Sequence, residues 1–254
     1  MHFVIIKLHT VKKVFLFLLI TVMLSIGVQN KTAASVFFGG TTRDLPVYNV
    51  ETTENKVALT FDAAWGADKT QNIIDLLKEY NANATFFLVG FWVEEHPEMV
   101  TKLAEAGFEI GSHSNTHLNL VNASKNQVID ELSASKSLIE NAVETSVNLF
   151  RAPFGAYNNT VIEEARNLGM TTIQWDVDSL DWKGLSGSKI AMRVLNKVKP
   201  GSIILFHNNA DCIVDGLRLV LDALKNKGYK FSSVGNLLIK DNYYIDSQGQ
   251  QRKK

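Results

Sequence analysis

Lys56-Val57-Ala58-Leu59-Thr60-Phe61, closed by Asp62, is the stretch on which the fold turns. A short apolar run rich in strand-forming residues reads as a buried strand over 56–61. Runs of the same kind recur at 85–89, 108–112, 148–151, 171–176 and 202–206, with a weaker one at 230–233. Between them the apolar residues repeat at helical spacing over 69–79, 97–106, 124–144, 158–168, 187–198 and 211–227. The helix ends carry their own signals. Gly107, Gly169 and Gly228 stand just past helical runs, Pro97 opens one, and Ser124 or Asn122 caps another. Regular alternation of strand and helix predicts an α/β protein with a parallel sheet. About seven units are present, which favours an irregular barrel over an open doubly wound sheet.

The whole chain fits that reading. It has 254 residues, 46% hydrophobic and 20% charged, with 26 basic against 26 acidic side chains. Such a balance excludes a disordered chain, and zero net charge without a basic block argues against nucleic acid as partner. Cys212 is alone, so no intrachain disulfide forms. The first 34 residues hold Lys7, Lys12, Lys13 and Lys31 and no acid, which leaves a mildly acidic body. Lys12 and Lys13 precede an apolar run from Val14 to Val28, followed by Thr32, Ala33 and Ala34. Fifteen residues rise about 22 Å as a helix, short of the roughly 30 Å hydrocarbon core. The pattern predicts an export signal, either cleaved after Ala34 or kept as an anchor. The expected location is extracytoplasmic, with any membrane contact made only through this segment, and the body is expected to be a monomer.

Polar side chains gather just after the predicted strands. Asp62 follows the first, His113 and His117 the third, Arg151 and Gly155 the fourth, Asp178 and Asp181 the fifth, and His207 the sixth. In α/β folds the loops at the carboxyl ends of the strands converge on one functional face. Asp62 is a candidate general base, with Arg151 as the cation whose planar fork grips its carboxylate and keeps it charged. His113 and His117, at i and i+4, share a face if the segment makes a helical turn, within reach of one metal ion. The turn Pro153-Phe154-Gly155 aims a backbone N–H outward, as an oxyanion donor requires. His207 beside Asp181 is a candidate general acid, and Trp182 either stacks on a sugar or seals the rim.

These residues, in this order, resemble the motifs of the polysaccharide deacetylase family, also called the NodB-homology domain or carbohydrate esterase family four. The resemblance runs from about Lys56 to Asn208 and implies a distorted (β/α)7 barrel that hydrolyses N-acetyl groups on glycans. It implies that Thr60-Phe61-Asp62 delivers the base, His113 and His117 bind a divalent metal such as zinc, and Arg151 holds the base. It further implies an oxyanion amide at Phe154, a tuning carboxylate and groove aromatic in Asp181-Trp182, and the general acid's strand in Leu205-Phe206-His207. The chain then divides into an export segment over 1–34, an extension over 35–55, a catalytic domain over 56–240 and a polar tail over 241–254. There is one departure. The family has a third metal ligand, an acid, directly after the base, and here that position is Ala63. A methyl group cannot coordinate a cation, so metal affinity falls. The Asp-Ala-Ala-Trp-Gly variant resembles an exported, sporulation-associated subgroup, with spore or wall peptidoglycan as target. Two readings follow: a glycan N-deacetylase, or a glycan-binding pseudoenzyme that has lost turnover.

Overall fold

The computed structural model describes residues 43–254, so the expected export segment over 1–34 lies outside the described residues. Among the described residues no helix is long and apolar enough to cross a membrane. In chain order the elements are β1 (Asn49–Val50), β2 (Lys56–Ala63), α1 (Thr70–Glu79), β3 (Thr85–Leu88), α2 (Gly90–Glu95) and α3 (Pro97–Glu105). Then come β4 (Glu109–Ser112), α4 (Lys125–Val143), β5 (Leu149–Phe150), α5 (Asn159–Asn167), β6 (Thr171–Thr172) and β7 (Val177–Asp178). The last are α6 (Gly187–Leu195), β8 (Ile203–His207), α7 (Ile213–Asn226), β9 (Lys230–Ser232), α8 (Val234–Leu237), β10 (Tyr243–Ile245) and β11 (Gln250–Lys253).

Seven parallel strands run β6-β5-β4-β3-β2-β8-β7, with β9 paired to the start of β2. This is the distorted barrel expected from the alternation, a curled parallel sheet with helices outside. The stretch 171–176 is not one strand, however. Only Thr171–Thr172 of it forms a strand, β6, and the next strand, β7, begins beyond it at Val177, at the opposite end of the strand order. Between them the chain crosses the gap that would otherwise close the barrel, and its N–H groups turn elsewhere. Gln174 N donates to Val47 O, and Asp176 N to Ile203 O.

Residues 47–50 plug that gap. Val47 bridges Ile173, Asn49 bridges Ser202, and Val50 N donates to Gly201 O at 2.9 Å. A Cβ at Gly201 would stand 1.7 Å from Val50 O, so only glycine admits this approach. The predicted polar tail is likewise structured. β11 pairs with β1 in parallel and with β10 antiparallel, forming a small second sheet. The segments set apart as extension and tail are therefore joined to each other, within a compact unit that spans Asp44–Lys254.

Alternation along the strands sorts the interior. Val57, Leu59, Phe61 and Ala63 of β2 belong to the large apolar cluster shared with the helices, where the Phe61 ring stacks on Phe86 and Phe206. Ala58 belongs to a second, smaller cluster with Phe87, Leu149, Ile173, Ile203, Val47 and Val50, inside the barrel. Asp62 shares that inward face, since side chains two residues apart on a strand point the same way. Gly111 does too, and a Cβ there would press within 2.7 Å of the Phe87 ring. The barrel floor is thus apolar and packed, and its upper tier is free to be polar.

Candidate active site

Asp62 is delivered by β2 itself, inside the strand rather than after it, in register with Phe87 on β3 and His207 on β8. Its Oδ1 accepts from Arg151 Nη1 at 2.7 Å. Arg151 follows β5, is fully buried, and lies over the Phe87 ring at 4.1 Å. The expected two-bond grip is not what forms. Arg151 divides its fork, sending Nη2 to Gln174 O at 3.2 Å, so one arm holds the base and the other pins the crossing segment. Burial alone would raise the Asp62 carboxyl. That is the largest single effect, but the charges of Arg151, His113 and His207 and the Arg151 hydrogen bond together outweigh it, and the pKa falls below the ordinary carboxylate value.

His113 and His117 do converge, with ring centroids 5.0 Å apart, but not on a helix. The loop bends instead through left-handed residues, Ser114 at φ 68° and His117 at φ 58°. Glu131 on α4 holds the bend: its Oε2 accepts from Asn115 N at 2.9 Å and Thr116 N at 2.8 Å. His113 Nδ1 lies 2.8 Å from Arg151 O. A carbonyl only accepts, so Nδ1 carries the proton and Nε2 presents its lone pair. That Nε2 is 3.5 Å from Asp62 Oδ2. Burial lowers the pKa of both imidazoles, that of His117 to about 4.

On the neighbouring strand, His207 Nδ1 is 2.7 Å from Asp181 Oδ1, and Asp181 Oδ2 accepts from His207 N at 2.8 Å. Asp181 is buried and also accepts from Trp182 N. Desolvation pulls the His207 pKa down, but the Asp181 hydrogen bond and charge, with the charges of Asp62 and Asp178, together more than reverse it, leaving it raised.

All of this faces one cavity of about 700 Å³, lined by Asp62, His113, His117, Asp181 and His207 with Phe154, Trp182 and Leu205. Of the residues singled out from the sequence for chemistry, Arg151, which acts from beneath, Gly155 and Ala63 do not line it. Phe154 takes φ 61° in a single 3₁₀ turn and packs edge-on against His117 at 4.6 Å. The sequence reading did not place Trp175 or Asp211 at the site, yet they line the cavity beside Trp65. It also passed over Asn208, whose Nδ2 ties the end of β8 to Gly66 O and Thr70 Oγ1. Adjacency to His207 was the available signal for Asn208. Of the two asparagines next to these motifs, Asn209 lines the cavity, whereas the Asn115 side chain is turned toward Gly90.

The metal implied by the resemblance meets a poor donor set. Ala63 is fully buried in the apolar cluster between sheet and helices. Among the described residues no three His, Cys, Asp or Glu side chains form a group that could hold a metal ion. The described residues do not make a closed three-ligand centre.

A barrel whose strand ends bring an arginine-held carboxylate beside a carboxylate-held histidine belongs with the hydrolytic acid–base enzymes of this architecture. The polysaccharide deacetylase profile matches residues 49–173. A peptidoglycan-N-acetylglucosamine deacetylase of Bacillus cereus is 34% identical, over 75% of this chain and 92% of its own. An uncharacterised Bacillus subtilis protein is 30% identical over 76% of this chain, which spans only 60% of that relative. Among solved structures, a CE4 family pseudoenzyme from Bacillus anthracis superposes with a TM-score of 0.74 at 34% identity, over 76% of this chain and 69% of its own. A mutant of that pseudoenzyme has restored enzymatic activity. The chain belongs to the polysaccharide deacetylase family, whose deacetylases are hydrolases acting on amide bonds.

Proposed function

We propose that the protein is an exported N-deacetylase that hydrolyses the acetamido group of N-acetylhexosamine units in peptidoglycan, spore or cell-wall. One observation carries this reading. Asp62 and His207 are register partners on adjacent strands, and their surroundings drive their pKa values in opposite directions, the base toward its ionised form and the acid toward its protonated form. A structural pair has no need of that arrangement.

With Oδ1 occupied by Arg151, Asp62 Oδ2 takes the proton of a water, whose oxygen attacks the acetamide carbonyl carbon. The carbonyl oxygen gains the negative charge and is met by the Phe154 amide at the rim. His207 keeps Nδ1 on Asp181, so its Nε2–H is the one that protonates the departing nitrogen as the C–N bond breaks. Acetate and a free amine result. Among the described residues no lysine or arginine lines the cavity, while four aspartates do. That lining favours a neutral N-acetylglucosamine unit over the acidic lactyl group of muramic acid.

A second reading, a glycan-binding pseudoenzyme, is favoured by Ala63 and by likeness to the Bacillus anthracis protein. Acetate release from intact peptidoglycan, with and without added zinc, cobalt and nickel, separates the two. A deacetylase releases acetate, and Asp62→Asn cuts that release about 10²- to 10⁴-fold. No acetate under any of these conditions, with glycan binding intact, would leave the binder.

A further inference from the structure

Three aromatic side chains stand open at the cavity mouth: Trp65, Phe154 and Trp182, at 57%, 66% and 58% exposure. The acid–base chemistry above gives Trp65 no role. Its position is nonetheless well fixed. The indole meets His117 edge-on at 4.9 Å and tilts against Phe91 at 6.0 Å. The next residue is anchored twice, because Gly66 O accepts from Trp92 Nε1 and from Asn208 Nδ2, each at 2.8 Å. A rigidly held indole with more than half its surface in water, beside a cavity, is a surface kept for a ligand.

Polar groups accompany it. Asn209 and Asp211 line the same cavity as Trp65. Asn209 borders the Trp65-Gly66 turn closely enough that a Cβ at Gly66 would lie 3.8 Å from the Asn209 Cβ. Lys69 is the nearby cation, and it is engaged by Asp68 at 2.6 Å.

We infer that Trp65, Asn209 and Asp211 form a second sugar subsite, which takes the pyranose adjoining the one held at Asp62 and His207. This rests on the glycan reading of the cavity and extends it: the ligand is a chain of at least two units. A β-linked hexopyranose carries C–H groups on its faces and hydroxyls at its edge. The negative face of an indole suits the former, and an amide with a carboxylate suits the latter. A ring already braced by His117 and Phe91 loses little freedom on binding.

The test is binding of the β-1,4-linked N-acetylglucosamine tetramer and of the monomer to the full chain carrying Asp62→Asn, which prevents turnover, by calorimetry and NMR titration. The tetramer is expected to bind at least tenfold tighter than the monomer. Trp65→Ala should weaken the tetramer about tenfold and the monomer less than twofold. Trp65→Phe should fall between, and Asn209→Ala should also weaken the tetramer selectively. Equal loss for both ligands would mean that Trp65 only braces His117, and an unchanged tetramer would mean that it does not touch the chain. Either result overturns the subsite, as does a protein that binds the two ligands alike. Acetate release by the unmutated protein is scored separately. Its absence with the tetramer preference intact removes the deacetylase reading and leaves the subsite standing.

Discussion

At the scale of single residues the site is a matter of which charge is held on which atom. Asp62 is kept ionised by Arg151 and His207 is kept protonated by Asp181, so activity requires a pH above the first pKa and below the second. The low-pH limb of kcat/KM should therefore sit below the ordinary carboxylate value and the high-pH limb above the ordinary histidine value. Asp181→Asn removes the charge that raises His207, and the high-pH limb should move down while the low-pH limb stays in place. A profile whose upper limb does not move would remove His207 as the acid. Ala63 makes a different prediction. An aspartate there enters a fully buried, apolar place, where an unpaired carboxylate is costly. Ala63→Asp should then bind zinc at least a hundredfold more tightly than the parent, with a melting temperature that rises on zinc addition. Calorimetry showing the same zinc affinity as the parent would mean that the carboxylate does not reach the two imidazoles.

At the scale of elements, the caps and turns decide how firmly the site is presented. Ser124 and Gln127 form a capping box at the start of α4, as Ser124 promised. That helix presents Glu131 to the 113–117 loop, where one carboxylate satisfies two backbone N–H groups and the Thr116 hydroxyl. Glu131→Ala leaves those donors to water, and the left-handed residues that flank them lose their restraint. Amide hydrogen exchange at Asn115 and Thr116 should accelerate at least tenfold, with the exchange of β2 unchanged. Unaltered exchange would show that the loop holds itself. This support was not legible in the sequence, because Glu131 lies fourteen residues beyond His117, within an ordinary helical pattern. α2 was missed for a related reason. It has six residues and no side-chain cap, too little period and no boundary signal to read.

At the scale of the whole molecule, the barrel is finished by chain from both sides of the catalytic motifs. Val47 and Val50 fill the inner apolar cluster, and β1 is in turn covered by β11. Gln251 joins in, accepting from Ile239 N at Oε1 and donating to Ile239 O through Nε2. Arg252 holds Glu51 and Asp246. Deleting residues 241–254 should therefore cost several kcal/mol. At about 2–4 °C per kcal/mol for a chain of this size, the melting temperature should fall by roughly 10 °C. A dispensable tail would leave it unchanged in calorimetry.

The sequence by itself determined the strand–helix order, the parallel barrel and the identities of Asp62, His113, His117, Arg151, Asp181 and His207. Apolar period and position after a strand are local properties, and those residues carry them. Only the tertiary structure decided that the chain leaves β6 after Thr172 to cross to the opposite edge at Val177, that residues 47–50 seal the gap, and that the polar 243–253 segment becomes a sheet. It also decided that Arg151 divides its fork and that Trp65 stands at the rim. Each of these depends on backbone groups finding partners far along the chain, and a hydrogen bond across 125 residues, such as Val47 N to Thr172 O, leaves no mark on the residue types at either end.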